Sequence, residues 1–142
     1  RRLTPYTLGL YAGRDHPAPA SLAALKDARM VGYVPDLIYA PELRYMDELP
    51  GTPAAASAST SIHAQAQMIR TGAGIGILPC FLADPDPQLQ RVLADEISIS
   101  RTFWLVMHKD KRAIARIRLF IDWLTALVAR MEPVLQGSAV LP

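Results

Sequence analysis

Apolar residues fall along this chain in short blocks separated by turn-forming residues, and the spacing inside each block predicts its element. The run Thr7-Leu8-Gly9-Leu10-Tyr11-Ala12 predicts a buried strand over 6–12, ended by the breaker Gly13-Arg14-Asp15-His16-Pro17. Ser21 is placed to cap a short helix carrying Leu22 and Leu25 on one side. Met30-Val31-Gly32-Tyr33-Val34 follows as a second strand, stopped by Pro35. Pro41 suits the first turn of another helix, where its missing N–H has no partner anyway, with Leu43, Met46 and Leu49 as the apolar stripe before Pro50-Gly51. The small residues of 53–58 suit a closely packed strand, and equally a helix.

The next helix has clearer punctuation. Thr60 or Ser61 supplies the N-cap oxygen, Ile62, Ala66 and Ile69 recur at helical spacing, and Gly72 supplies the left-handed stop. A buried strand is expected at 75–78, a single helical turn at 79–83, and a loop at Asp84-Pro85-Asp86-Pro87. Leu89, Val92 and Leu93 suggest a short amphipathic helix. Residues 97–107 alternate at first and then become wholly apolar in Phe103-Trp104-Leu105-Val106-Met107, as expected of a strand entering the middle of a sheet. The final helix, 113–131, gathers Ile114, Ile117, Phe120, Ile121, Leu124 and Val128 on one face, and 132–142 reads as a frayed tail. Trp104 and Trp123 read as core. Strands alternating with helices at this spacing predict a mostly parallel α/β sheet.

At 142 residues and 51% hydrophobic, the chain can bury one proper core. Its formal charge of +2 gives no field strong enough to hold a polyanion over the whole surface. The single cysteine, Cys80, cannot form an internal disulfide and has no Cys or His near it in sequence for a zinc site; a reducing cytoplasm fits. No apolar run approaches the roughly 18 residues of a membrane span. The start at Arg1-Arg2-Leu3-Thr4, without Met or an apolar leader, is expected of a boundary inside a longer protein.

Three stretches in order carry a family resemblance. They are Leu8-Gly9-Leu10-Tyr11-Ala12-Gly13-Arg14-Asp15-His16-Pro17; then Thr60-Ser61-Ile62-His63 through Gly72-Ala73-Gly74-Ile75-Gly76-Ile77-Leu78-Pro79; then Phe103-Trp104-Leu105-Val106-Met107-His108-Lys109-Asp110 followed by Arg116-Ile117-Arg118-Leu119-Phe120-Ile121-Asp122-Trp123-Leu124. Together they resemble the C-terminal effector-binding domain of LysR-type bacterial transcriptional regulators, over about residues 3–131. The resemblance implies a type II periplasmic-binding-protein-like fold: two α/β subdomains joined by two crossover strands, with the effector in the cleft between them. Mapped on this chain, 1–15 is a crossover strand and remnant of the first subdomain and 16–105 is the second subdomain. Residues 106–131 return to the first, and 132–142 is the tail. The strands near 6–12 and 102–107 are then expected side by side. DNA contact would belong to an N-terminal domain outside this sequence. The implied partners are a small-molecule effector and a second copy, as homodimer or tetramer, with no membrane and no cofactor.

Several residues carry candidate chemistry. The N-terminus of the helix from Thr60 offers free N–H groups, a partial positive charge and the hydroxyls of Ser59, Thr60 and Ser61, which suits a carboxylate; each hydroxyl can equally be a cap and nothing more. Tyr33, Val34 and Pro35 end the preceding strand, where α/β folds gather ligands, or else simply pack and turn. His63 can touch ligand, although a lone helical His is more often solvated or packed. The glycines at 72, 74 and 76 follow a helix and enter a strand, the reverse of a dinucleotide loop, and so serve a helix stop and close packing. Cys80 as a nucleophile, with His63 or His108 as base, lacks any supporting motif and reads as an apolar filler. Lys109, Lys111, Arg112, Arg116 and Arg118 can meet phosphate, but Asp110 and the apolar helix face favour a solvated flank. The leading expectation is a sensor without catalysis. The alternatives are an extracytoplasmic solute-binding protein of related fold and an acyl-transfer enzyme.

Overall fold

The computed structural model describes residues 1–49, 51–108 and 114–138. It has strands β1 (Arg2–Gly13), β2 (Met30–Gly32), β3 (Ala55–Ala58), β4 (Ile75–Pro79), β5 (Leu89–Val92) and β6 (Ile99–Trp104). Its helices are α1 (Ile62–Arg70), α2 (Cys80–Ala83) and α3 (Ala115–Leu135). The strands form one sheet in the order β3-β2-β4-β1-β5, with β6 paired to β1 beside β5. Leu8, Leu10 and Ala12 of β1 pack with Met30, Ile75, Ile77 and Val92 on one face. Tyr11 joins Val31, Leu78 and Leu89 against Ala66 and Ile69 of α1 and Cys80 and Ala83 of α2 on the other. The sheet is therefore covered on both sides around β1, β2, β4 and β5, whose neighbouring residues enter different cores.

The parallel pairing expected from strand–helix alternation holds only around β2, which runs parallel to β3 and β4. β1 is antiparallel to β4 (Leu8↔Pro79 to Tyr11↔Gly76), to β5 (Leu10↔Val92 to Gly13↔Leu89) and to β6 (Arg2↔Trp104 to Leu8↔Ile99). The strands near 6–12 and 102–107 are neighbours as expected. Pro5, which has no N–H to give, sits in the half of β1 that β6 alone pairs. At the entry to β4 and within it, glycine is required for close approach to β2 and the residue before it: a Cβ at Gly74 would stand 2.3 Å from the Arg29 carbonyl oxygen, and one at Gly76 2.6 Å from that of Val31.

Several expectations are corrected. Residues 89–92 are strand, not helix: Leu89 and Val92 are both buried, but on opposite faces of a sheet covered on both sides, which imitates helical spacing. The helix expected from Pro41 is two 3-10 turns, Pro41–Leu43 and Tyr45–Glu48, separated by Arg44 at ψ 54°. Ser21 precedes a 3-10 turn, Leu22–Asp27, without a side-chain cap bond. The helix begun by Ser61 and the stop at Gly72 (φ +80°) form as expected.

Phe103, Trp104 and Val106 do not enter a sheet centre, because β6 pairs with β1 alone among the described residues, and Trp104 is 64% and Val106 86% exposed. Trp123 is likewise exposed, with Leu119 and Phe120 beside it on α3. Instead of fraying at 132, α3 continues through Pro133 to Leu135 and closes at Gly137 (φ +68°), where the buried Val134 and a tight approach to Cys80 dock its end. Lys109, Lys111 and Arg112 of the basic flank, and the expected helix start at Ala113, lie outside the described residues. No helix among the described residues is long and apolar enough to cross a membrane.

Leu10 is fully buried where β4 and β5 both pair with β1. Leu10→Ala is expected to cost about 3 kcal/mol through lost transfer energy and a cavity that the three strands cannot close. Urea denaturation followed by circular dichroism measures it.

Candidate ligand-binding site

The carboxyl ends of β2 and β3 come together because the Ser59 N–H donates to the Gly32 carbonyl at 3.0 Å. That bond sets Tyr33, Val34 and Pro35, leaving β2, beside Ser59, Thr60 and Ser61, entering α1. Ser61 is the N-cap: its Oγ accepts from the Ala64 N–H at 3.4 Å, and the Ser59 Oγ accepts from the Ser61 N–H at 3.1 Å. Two of the three hydroxyls thus have local capping work. Thr60 Oγ1 has no hydrogen-bond partner among the described residues, and Thr60, Ser61 and His63 are all exposed. The first N–H groups of α1, those of Ile62 and His63, have no intrahelical acceptor, and no cap takes them among the described residues. This helix end can accept an anion.

Beside it lies a cavity of about 270 Å³, lined by Tyr33 and Pro35 from the β2 exit, by Tyr45 and Met46 from the second 3-10 turn, and by Ile77 and Gln65. Val34, Ser59, Thr60, Ser61 and His63 do not line it. The sequence pattern missed Gln65. It occupies a core position of α1 at 1% exposure, and its Nε2 donates to the Ser59 carbonyl at 2.8 Å. A polar residue flanked by Ala66 and Ile69 on the buried face was the available signal.

Aromatic rings pack in two groups, one around Tyr6 of β1 and one on the cavity wall. Tyr6 of β1 stacks on Phe103 (4.2 Å between centroids) and meets Phe81 edge-on (5.9 Å); Tyr45 meets Tyr33 edge-on at 5.9 Å. Arg101 of β6 lies 5.7 Å from the Tyr45 ring centroid, donates to the Glu42 carbonyl at 3.1 Å and pairs with Glu48, so one guanidinium holds both 3-10 turns. Burial raises the phenol pKa of Tyr45, and the nearby Tyr6 and Tyr33 add to the rise. Burial likewise raises Tyr6 and Tyr33. On the opposite face burial raises Tyr11, reinforced by its 2.5 Å bond to Asp84 Oδ1, and burial also pushes up the neighbouring Cys80 thiol. A buried thiol held protonated is a poor nucleophile.

The chain matches the LysR substrate binding domain family over residues 1–129, and it belongs to that family. Solved structures of similar fold include the regulatory domain of CrgA, a LysR-type transcriptional regulator from Neisseria meningitidis, with a TM-score of 0.75 and 23% identity over 89% of this chain and 67% of that one. The regulatory domain of Synechocystis PCC6803 CcmR, in complex with 2-PG, gives a TM-score of 0.71 and 20% identity over 92% and 67%. A Corynebacterium glutamicum OxyR C206S mutant, H2O2-bound, gives 0.63 and 15% over 99% and 48%. The chain thus spans about half to two thirds of the length of these structures. No curated protein matches it. The fold is that of LysR regulatory domains, type II periplasmic-binding-protein-like.

The raised phenols give a signed pH dependence. Tyrosines that stay neutral in the folded state contribute stability fully below their ordinary pKa of about 10 and lose it as pH rises through the raised folded values. Alkaline titration followed together by phenolate absorbance and circular dichroism should show Tyr11 and Tyr45 ionising only as the fold is lost, with Tyr6 and Tyr33 ionising above the ordinary tyrosine range. Ionisation of all five tyrosines in an intact fold would contradict this.

Proposed function

We propose that this domain senses a small anionic molecule for a LysR-type transcriptional regulator and conveys its presence by conformational change, with no catalysis of its own. The observation that carries this reading is the helix end at Thr60. Unpartnered N–H groups of Ile62 and His63 stand beside an unpartnered hydroxyl, at the carboxyl ends of parallel strands. A carboxylate there gains charge-assisted hydrogen bonds of about 1.5 to 3 kcal/mol each when shielded from water. Thr60 and Ser61 would orient it, with Ser59, Tyr33, Val34, Pro35 and His63 around it.

In this reading residues 16–105 form the second subdomain, and β1 and β6 are the crossover strands that link it to the first, to which residues 1–15 and 106–131 belong. The matched family and the regulatory-domain neighbours favour a regulator over a transport receptor. DNA contact falls to another part of the regulator, and the cytoplasm is its compartment. Effector binding shifts the relative population of subdomain arrangements, which changes how copies assemble.

In a regulator carrying this domain, replacing Thr60 and Ser61 together by Ala is expected to weaken effector binding roughly tenfold or more while costing about 1 kcal/mol of stability through the lost cap. Calorimetry and thermal melting separate the two. Unchanged effector affinity with a lowered melting temperature would reduce the hydroxyls to caps.

Self-association follows from the apolar surface of Leu119, Phe120 and Trp123 on α3 and Trp104 on β6. Sedimentation is expected to show a concentration-dependent dimer that Phe120→Lys weakens. Monomers across a wide concentration range would count against it.

A further inference from the structure

The cavity beside the helix end has features that an anion site does not need. Its floor and walls are apolar, from Val31, Ile38, Leu43, Met46 and Ile77. Tyr33 and Tyr45 also line it, with rings inclined at 68° and 5.9 Å apart. Its charged lining residues, Arg44 and Asp47, are exposed and of opposite sign, so they offer no net preference for an ion. The Thr52 hydroxyl is already committed to the Leu49 carbonyl at 2.8 Å. The Tyr33 and Tyr45 phenols interact with neighbouring tyrosines, which leaves Gln65 as the lining amide. With Nε2 held by the Ser59 carbonyl, the orientation of its amide is fixed, and Oε1, on a residue that lines the cavity, makes no hydrogen bond among the described residues. A ligand donor that reaches Oε1 in this apolar setting adds one hydrogen bond.

Size narrows the occupant. An apolar cavity of about 150 Å³ takes benzene, so 270 Å³ holds one ring with a substituent or a small fused pair. Flat aromatic molecules also match the tyrosine faces. We propose that this cavity is a second, neutral-ligand site, taking a compact aromatic molecule with one hydrogen-bond donor, such as a phenol or an indole, whose donor bonds Gln65 Oε1. Tyr33 and Pro35 border both sites, but Thr60, Ser61 and His63 do not line the cavity, so a neutral ligand there does not depend on the anion-binding hydroxyls.

The test uses phenol and toluene, which share a ring and differ in the donor, titrated into the chain by calorimetry. Phenol is expected to bind with about tenfold preference over toluene, the worth of one hydrogen bond. Gln65→Leu should remove that preference and keep toluene binding, Ala55→Phe should fill the cavity and abolish both, and the Thr60→Ala, Ser61→Ala variant should retain both. Nuclear Overhauser contacts from the phenol ring to the Met46 and Ile77 methyls give a readout in the unaltered chain. Absence of those contacts, contacts to Trp123 on α3 instead, or a phenol preference that survives Gln65→Leu would overturn the proposal. Failure of the Thr60 and Ser61 variant to lose anion response would leave it standing.

Discussion

Everything in this domain is referred to β1, whose hydrogen bonds must serve three antiparallel neighbours at once. Its second half is held on both edges, by β4 and by β5, and its first half by β6. A strand so placed has no freedom of register, because a slip of one residue would carry Leu8, Leu10 and Ala12 out of one core and push Tyr11 out of the other. The parallel strands β2 and β3 reach β1 only through β4. The position of the candidate site is therefore set by the glycine contacts between β4 and β2.

From that frame the site divides into two kinds of surface. The α1 end is polar, open and built from main-chain groups, whose geometry needs little more than the Ser59 to Gly32 bond. The cavity is apolar and built from side chains on a segment with little regular structure, held by one arginine from a distant strand. A main-chain site tolerates sequence change, whereas a side-chain site does not. The two can thus diverge independently while the sheet stays the same.

How much of this was legible in the sequence follows from which interactions are local. The α1 helix was legible because its cap, apolar stripe and glycine stop all lie within a dozen residues of one another. β1 was legible as a strand, but its direction relative to β4 was not, since antiparallel pairing depends on residues about 65 positions apart. The segment after Pro41 carries helical spacing, yet Arg101 takes the Glu42 carbonyl and Tyr45 turns into the core, neither of which the local pattern contains. Phe103 and Trp104 were assigned to the interior because apolarity in a run marks burial only when something covers it. The hydroxyls at Ser59, Thr60 and Ser61 were visible as a cluster, while Gln65 needed the fold to bring it beside Tyr33.

Arg101 has one more consequence, which concerns the unfolded chain rather than the folded one. The segment 97–107 is rich in β-branched, aromatic and other apolar residues, and Arg101 is its only charge. Its strand also has an edge that no other strand takes among the described residues. Segments of this composition stack into intermolecular cross-β ribbons whenever they are exposed, and a single central charge interrupts the stacking by placing like charges in register every ~4.8 Å. The guanidinium that clamps the cavity turn thus also acts as a gatekeeper during synthesis and refolding. Replacing Arg101 frees the turn and removes that protection together, so a gain in mobility at the site by that route comes with a rise in aggregation.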